Sequence, residues 1–224
     1  KNRSKKSWKA ISESDKEDVL NKINQKYSST NFTGYKNISE RSKLIEIIKN
    51  KNIIKENLGN DFVMLIFNKT PFYAESGGQI GDVGNIYDKK GNEIAEIFDT
   101  KREGLVYIHF AKNISEPLII GHEYELKINE NIRGKVARNH SATHLLHESL
   151  RIVLGEHVKQ KGSLVAFNKL RFDFTNNKSV SEKNIEEVEM MINEVIRKNL
   201  KVYTKIMSHK KAIESGAIGL FGEK

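Results

Sequence analysis

Between residues 61 and 128 the chain alternates short apolar runs with turn residues. The runs at 61–67, 86–88, 93–98, 105–110, 118–120 and 124–128 read as strands. Lys89-Lys90-Gly91-Asn92, between two of them, is a hairpin signal, because Gly91 takes a positive φ at little cost. The two prolines, Pro71 and Pro117, fall at run edges. Such a series implies a small antiparallel barrel or sandwich. The stretch before it is charged, with Val19, Leu20 and Ile23 at helical spacing, and reads as a short amphipathic helix on a basic arm.

After Gly134 the pattern changes. Residues 139–154 predict a helix closed by Gly155, Lys161-Gly162-Ser163 a turn, and 170–174 a strand. A second amphipathic helix is expected over 182–199, with Ile185, Val188, Ile192, Val195 and Ile196 at its spacings, and a further strand over 201–207. The expected fold is therefore α+β, in three parts. Residues 1–30 form a helical arm or linker, 31–133 a small antiparallel β-barrel with a glycine-rich loop, and 134–224 an α+β core with a histidine-bearing helix, incomplete at its C-terminal end.

Composition narrows the function. The 224 residues hold no cysteine, so a disulfide framework, a thiolate nucleophile and thiolate metal ligands are excluded within this sequence, and a cytoplasmic setting is expected. Any metal must use His, Asp or Glu. No apolar run reaches the roughly 20 residues of a bilayer span, so no membrane partner is expected. With 38 Lys+Arg against 29 Asp+Glu the net charge is +9. That excess attracts polyanions, nucleic acid first among them, while the many Lys residues beside Asn and Ile also fit a compositional bias with a bland basic surface.

The sharpest chemical feature is Arg138-Asn139-His140-Ser141-Ala142-Thr143-His144-Leu145-Leu146-His147. On a helix, His140, His144, His147 and Arg151 fall within roughly 60° of one another, and Ala142, Leu145, Leu146, Leu150 and Val153 centre on the other side. The histidines are thus expected to face away from the core. Two histidines four apart can place both imidazoles on one cation, zinc being the natural candidate; a solvated polar helix face accounts for the same spacing.

The loop 70–84, TPFYAESGGQIGDVG, has four glycines in eight residues. It can bring exposed backbone N–H groups to an anion or carbonyl oxygen, or serve as a flexible hairpin connection. It lacks the Gly-Lys-Ser/Thr ending of a phosphate loop and the following helix of a dinucleotide fingerprint. In Val158-Lys159-Gln160-Lys161-Gly162-Ser163, two lysines flank a glutamine, suited to phosphate and a polar substrate or to a solvated turn.

In this order, TPFYAESGGQIGDVG, NHSATHLLH (139–147), HVKQKGSLV (157–165), LRFDF (170–174) and GAIGLFGEK (216–224) resemble the editing region of alanyl-tRNA synthetases, from about Phe32 to the end of the sequence. Trp8-Lys9 resembles the segment that precedes it. The editing domain of threonyl-tRNA synthetases shares the histidine helix, but Tyr73 and Gln79 in the loop favour the alanyl branch. The resemblance implies a hydrolase that removes serine or glycine wrongly joined to the tRNA for alanine, acting at its acceptor end. A pocket shaped for alanine cannot strongly reject the smaller glycine, nor serine's added hydroxyl, so a second site must sort.

By the same resemblance His140 and His144 are zinc ligands. Thr70 would sense the serine hydroxyl, Gln160 would lie near the pocket, and Gly77, Gly78 and Gln79 would line it. Arg138, Lys159 and Lys161 are expected to touch tRNA phosphate. ATP and magnesium belong to the family's catalytic part, whose nucleotide-binding motifs have no match here. The family's remaining zinc ligands come from a Cys-x-x-x-His motif past the segment resembled by 216–224, which neither His157 nor His209 matches, so they are expected beyond Lys224. The expectation is a portion of a larger synthetase, with the parent's other domains as partners, holding zinc weakly and hydrolysing poorly by itself.

Overall fold

The computed structural model describes residues 29–216 apart from 51, 58 and 60. The helix expected around Val19, the Trp8-Lys9 segment and the 216–224 motif after its first residue, Lys224 included, lie outside the described residues. The chain divides into two compact units. One runs to Ser76 and resumes over Ile80–Gly134; the other takes Gly77–Gln79 and continues from Lys135.

The first unit is built from β1 (Asn31–Phe32), β2 (Ser39–Lys49), β3 (Asn52–Ile54), β4 (Glu56–Asn57), β5 (Phe62–Phe67), β6 (Lys69–Thr70), β7 (Gly84–Tyr87), β8 (Glu93–Glu103), β9 (Val106–Asn113), β10 (Leu118–Ile119) and β11 (Glu123–Ile128). Six of these lie in the order β2-β5-β9-β8-β7-β11, and β11 pairs back onto β2 through Glu125↔Arg41 and its neighbours. The antiparallel sheet therefore closes into the expected barrel. Closure removes most free sheet edges.

Alternation along the strands fills the barrel. On β5, Val63, Leu65 and Phe67 join the main cluster with Leu44, Ile86, Ile97 and Leu126, while Met64 and Ile66 pack with Ile48, Ile108 and Phe110 on the opposite face. Both faces of β5 are buried, which is why its sequence is a continuous apolar run. The 89–92 hairpin forms as expected, with Gly91 at φ 85°.

Strand β2 has no counterpart among the sequence-based expectations. Its first half is charged, and the register shifts between Leu44 and Glu46, so Glu46, Ile47 and Ile48 are all buried in succession. The bulge breaks the period of two that announces a strand.

His109, on β9, has no exposed surface. Its Nδ1 donates to the Leu65 carbonyl at 3.1 Å, and its Nε2 accepts from the Thr70 hydroxyl at 2.7 Å. Thr70 Oγ1 in turn accepts from the Phe72 N–H at 3.1 Å. The rings of Phe67 and Phe72 meet the imidazole edge to face. Burial lowers the His109 pKa from 6.5 to about 4, so the native state holds the ring neutral where the unfolded chain protonates it. Between those values the unfolded state binds the extra proton, and stability falls as pH falls. The span corresponds to about 3 kcal/mol, fully present above pH 6.5 and lost by about pH 4. Urea unfolding of the protein and of His109→Gln across this window should show the steeper loss in the former.

The glycine-rich loop is fastened inside the first unit by Arg133. Its Nε donates to Asp82 Oδ1 at 3.0 Å, its Nη2 to Asp82 Oδ2 and to the Pro71 carbonyl at 2.8 Å, and its Nη1 to the Gly34 carbonyl at 2.8 Å. Asp82 also accepts from the Tyr73 N–H at 2.7 Å, and its own N–H donates to the Tyr73 carbonyl.

Helix α1 (Glu130–Leu154) begins well before the expected Asn139. Asn129 Oδ1 accepts from the Ile132 N–H and starts it. The first two turns carry little apolar periodicity, so only the later part is visible as an amphipathic pattern. The unit boundary at Gly134 falls within this helix.

The second unit continues with β12 (Gln160–Val165), β13 (Leu170–Phe174), α2 (Glu182–Lys198) and α3 (His209–Glu214). Its core joins Leu150, Val158 and Val188 with Leu146, Phe172, Phe174 and Ile192. Two expectations are corrected here. Residues 161–163, expected as a turn, lie inside β12, which pairs antiparallel with β13 and shifts register at its start, between Gln160 and Gly162. Residues 201–207 form no strand and are all exposed: among the described residues no strand pairs with them, and their apolar side chains stay outside the core. Among the described residues no helix is long and apolar enough to cross a membrane.

Candidate functional site

Val136, Thr143, His147 and Leu150 form the buried stripe of α1. Their spacings of seven, four and three residues keep one helix face turned to the core. His147 is part of that stripe, 7% exposed and packed on Phe172, which corrects the expectation that all three histidines face away from the core. The apolar stripe is centred nearer the histidines than the leucines alone suggest, since the β12–β13 hairpin packs at that edge. His147 Nε2 has no hydrogen-bond partner among the described residues.

His140 and His144 remain together outside the stripe. His144 is exposed and His140 half-buried, and their rings stack 5.2 Å apart at 14°. Thr143 between them is buried and donates to the Asn139 carbonyl at 2.9 Å.

The Gly77–Gln79 segment lies in the same unit as these histidines. The Gly78 carbonyl accepts from the Val165 N–H at 2.8 Å, and Gln79 makes a single parallel bridge to Val165, which ties the segment to the end of β12. Gly78 has φ 84°, and a Cβ there would stand 2.5 Å from both the Ser163 carbonyl oxygen and Oγ. Gln79 Oε1 then meets His140 Nδ1 at 2.6 Å. Asn139, one residue before His140, donates from Nδ2 to the Ala166 carbonyl at 2.6 Å.

A specific cost follows at Gly78. Gly78→Ala faces both a left-handed backbone and a clash, whereas at Gly91 (φ 85°) a Cβ meets nothing within 4 Å. Thermal melts should show Gly78→Ala losing more than about 1 kcal/mol, and more than Gly91→Ala loses. Equal losses would mean that the approach to Ser163 is relieved at no cost.

The remaining expected site residues are distributed as follows. Arg138, Lys159 and Lys161 are exposed and Gln160 half-buried, all in the second unit. The Lys159 N–H is tied to Thr175 Oγ1 at 2.9 Å. Thr70 belongs to the first unit, fully buried, with its hydroxyl hydrogen committed to His109. Zinc on His140 and His144 was expected, but two imidazoles are half of a tetrahedral set. Among the described residues no three His, Asp or Glu side chains are grouped to hold an ion, so the donor set there is incomplete. The further ligands were expected beyond Lys224; within the sequence the histidines after His147 are His157 and His209. Neither joins His140 and His144 in a group: His157 Nε2 is bonded to Asn176 Oδ1 at 2.9 Å, and His209 opens α3.

Two features escaped the sequence reading. A carboxylate inside a glycine-rich apolar loop, as Asp82 is, needs a cationic partner, but nothing in the sequence singles out Arg133 from the other basic residues. The Asn139–Ala166 tie had no signal at all.

Comparison with known proteins gives a consistent picture. A family model described as tRNA synthetases class II (A) matches residues 1–132. The alanine-tRNA ligase of Parvibaculum lavamentivorans is 42% identical over 218 residues, covering 97% of this chain and 24% of that protein. The alanine-tRNA ligase of Mesorhizobium japonicum is 42% identical over 222 residues (98% and 25%), and that of Rickettsia conorii 41% over 227 residues (100% and 26%). The chain spans about a quarter of the length of these curated relatives.

Proposed function

The chain belongs to the tRNA synthetases class II (A), and from that premise we propose that it is the part of an alanine-tRNA ligase that deacylates tRNA for alanine carrying serine or glycine. The observation that carries the reading is the Gln79–His140 hydrogen bond beside the stacked His144. It joins two of the motifs that carry the resemblance, the glycine-rich loop and the histidine helix, at one imidazole.

The reaction is hydrolysis of the ester between the amino acid and the terminal adenosine. Water must lose a proton as it attacks the carbonyl carbon, and a neutral imidazole near neutral pH is a suitable acceptor. His140 and His144 are the proposed groups. The backbone of Gly77 and Gly78 and the Gln160 side chain border the amino acid, and the exposed Arg138, Lys159 and Lys161 meet phosphates of the acceptor end. Thr70 is left out of this reading, because its hydroxyl hydrogen is spent inside the first unit. Zinc enters only as an ion to which the described residues offer two donors. The setting is cytoplasmic, with the other domains of the parent ligase as partners.

A non-catalytic tRNA-binding role is the competing reading, favoured by the +9 charge and the three exposed basic side chains. Release of serine from Ser-tRNA(Ala) by the complete ligase separates the two. Salt-sensitive binding without release supports the binding module, and neither binding nor release leaves a structural spacer.

A further inference from the structure

We infer that Gln79 is a positioning residue for His140: its side-chain oxygen holds the proton on Nδ1 and thereby assigns the basic lone pair of that imidazole to Nε2. The consequence for turnover rests on the deacylation reading above, whereas the tautomer does not.

Gln79 Oε1 and His140 Nδ1 lie 2.6 Å apart. A carboxamide oxygen only accepts, so Nδ1 must be the donor. A neutral imidazole carries one N–H, which leaves Nε2 as its basic atom. The partner of one ring nitrogen thus selects the chemistry of the other.

The contact is held from both sides. The Gly78 carbonyl is bonded to the Val165 N–H, Gln79 itself bridges Val165, and the close approach of Gly78 to Ser163 leaves the segment little room to shift. On the histidine side, Asn139 is bonded to the carbonyl of Ala166, the residue after Val165. Consecutive residues at the end of β12 therefore anchor the segment before Gln79 and the helix turn that carries His140. Stacking on His144 fixes the ring plane. Gln79 was expected to line the substrate pocket; the role inferred for its oxygen is to act through His140.

The test is nitrogen NMR of the 224-residue chain with ¹⁵N-labelled histidine, at about pH 8.5, where an ordinary imidazole is neutral. His140 should show a protonated Nδ1 and an unprotonated Nε2. In Gln79→Leu the Nε2–H form should appear, whereas Gln79→Glu, which keeps an accepting oxygen, should retain Nδ1–H. Amide protection of Val165 should be the same in all three, since its bond goes to the Gly78 carbonyl. If Gln79→Leu disturbs that protection, Gln79→Met, with similar length and no oxygen, gives the same readout.

In the complete ligase, Gln79→Leu should slow serine release roughly ten- to a hundredfold, with Gln79→Glu closer to the parent. An Nε2–H tautomer in the unmodified protein, or a His140 spectrum that Gln79→Leu leaves unchanged, overturns the inference. The expected tautomers in a ligase that releases no serine would uphold it and defeat the deacylation reading.

Discussion

Arg133→Met is expected to lower the stability of the barrel unit by about 3–5 kcal/mol. Methionine keeps much of the apolar stem, so the loss measures the guanidinium. Without it, the Gly34 and Pro71 carbonyls lose the Arg133 donors, and the carboxylate of Asp82, 5% exposed, is left among the described residues with the Tyr73 N–H as its donor. An uncompensated buried charge costs far more than the pair contributes over a neutral replacement. The double variant Arg133→Met/Asp82→Asn should therefore recover a good part of the loss. Urea unfolding of the three proteins checks this. A single-variant loss under about 1 kcal/mol would show that the pair is solvated and that the loop is held by its backbone bonds alone.

The same pair shows where sequence reading reached its limit. The glycine-rich loop was visible as a feature, and its Gly-Gly-Gln segment was expected to form part of the site. What it bonds to was not legible, because both Asp82–Arg133 and Gln79–His140 join residues far apart in the chain and leave no local periodicity.

The barrel was legible where alternation was intact, as at 124–128, and illegible at β2, where a bulge interrupts it. The early turns of α1 were missed because 130–138 has only Ile132 and Val136 as large apolar residues and carries Gly134, a residue that reads as a boundary yet sits inside the helix. His147 was misjudged because the apolar stripe was drawn through residues that are apolar. The buried stripe includes a threonine and a histidine.

His144→Ala is expected to have the largest effect on activity, a fall in serine release of roughly a hundredfold or more. The side chain is exposed on a helix, and alanine is the best helix former, so stability should change by no more than about 0.5 kcal/mol. His140 is a less clean choice, since its ring is bonded to Gln79. A loss of release with an unchanged melting curve would place His144 at the chemistry rather than in the fold. Retained release in His144→Ala would remove it from the mechanism and with it the shared role of the two stacked rings.

If this chain sorts amino acids already joined to tRNA, the most direct measurement is the rate of serine release from Ser-tRNA(Ala), with Ala-tRNA(Ala) as the control, by the complete ligase and by its His144→Ala form. The predicted result is fast release of serine, retention of alanine, and loss of serine release in the variant. Serine release no faster from the ligase than from buffer, with tRNA still bound, would contradict it.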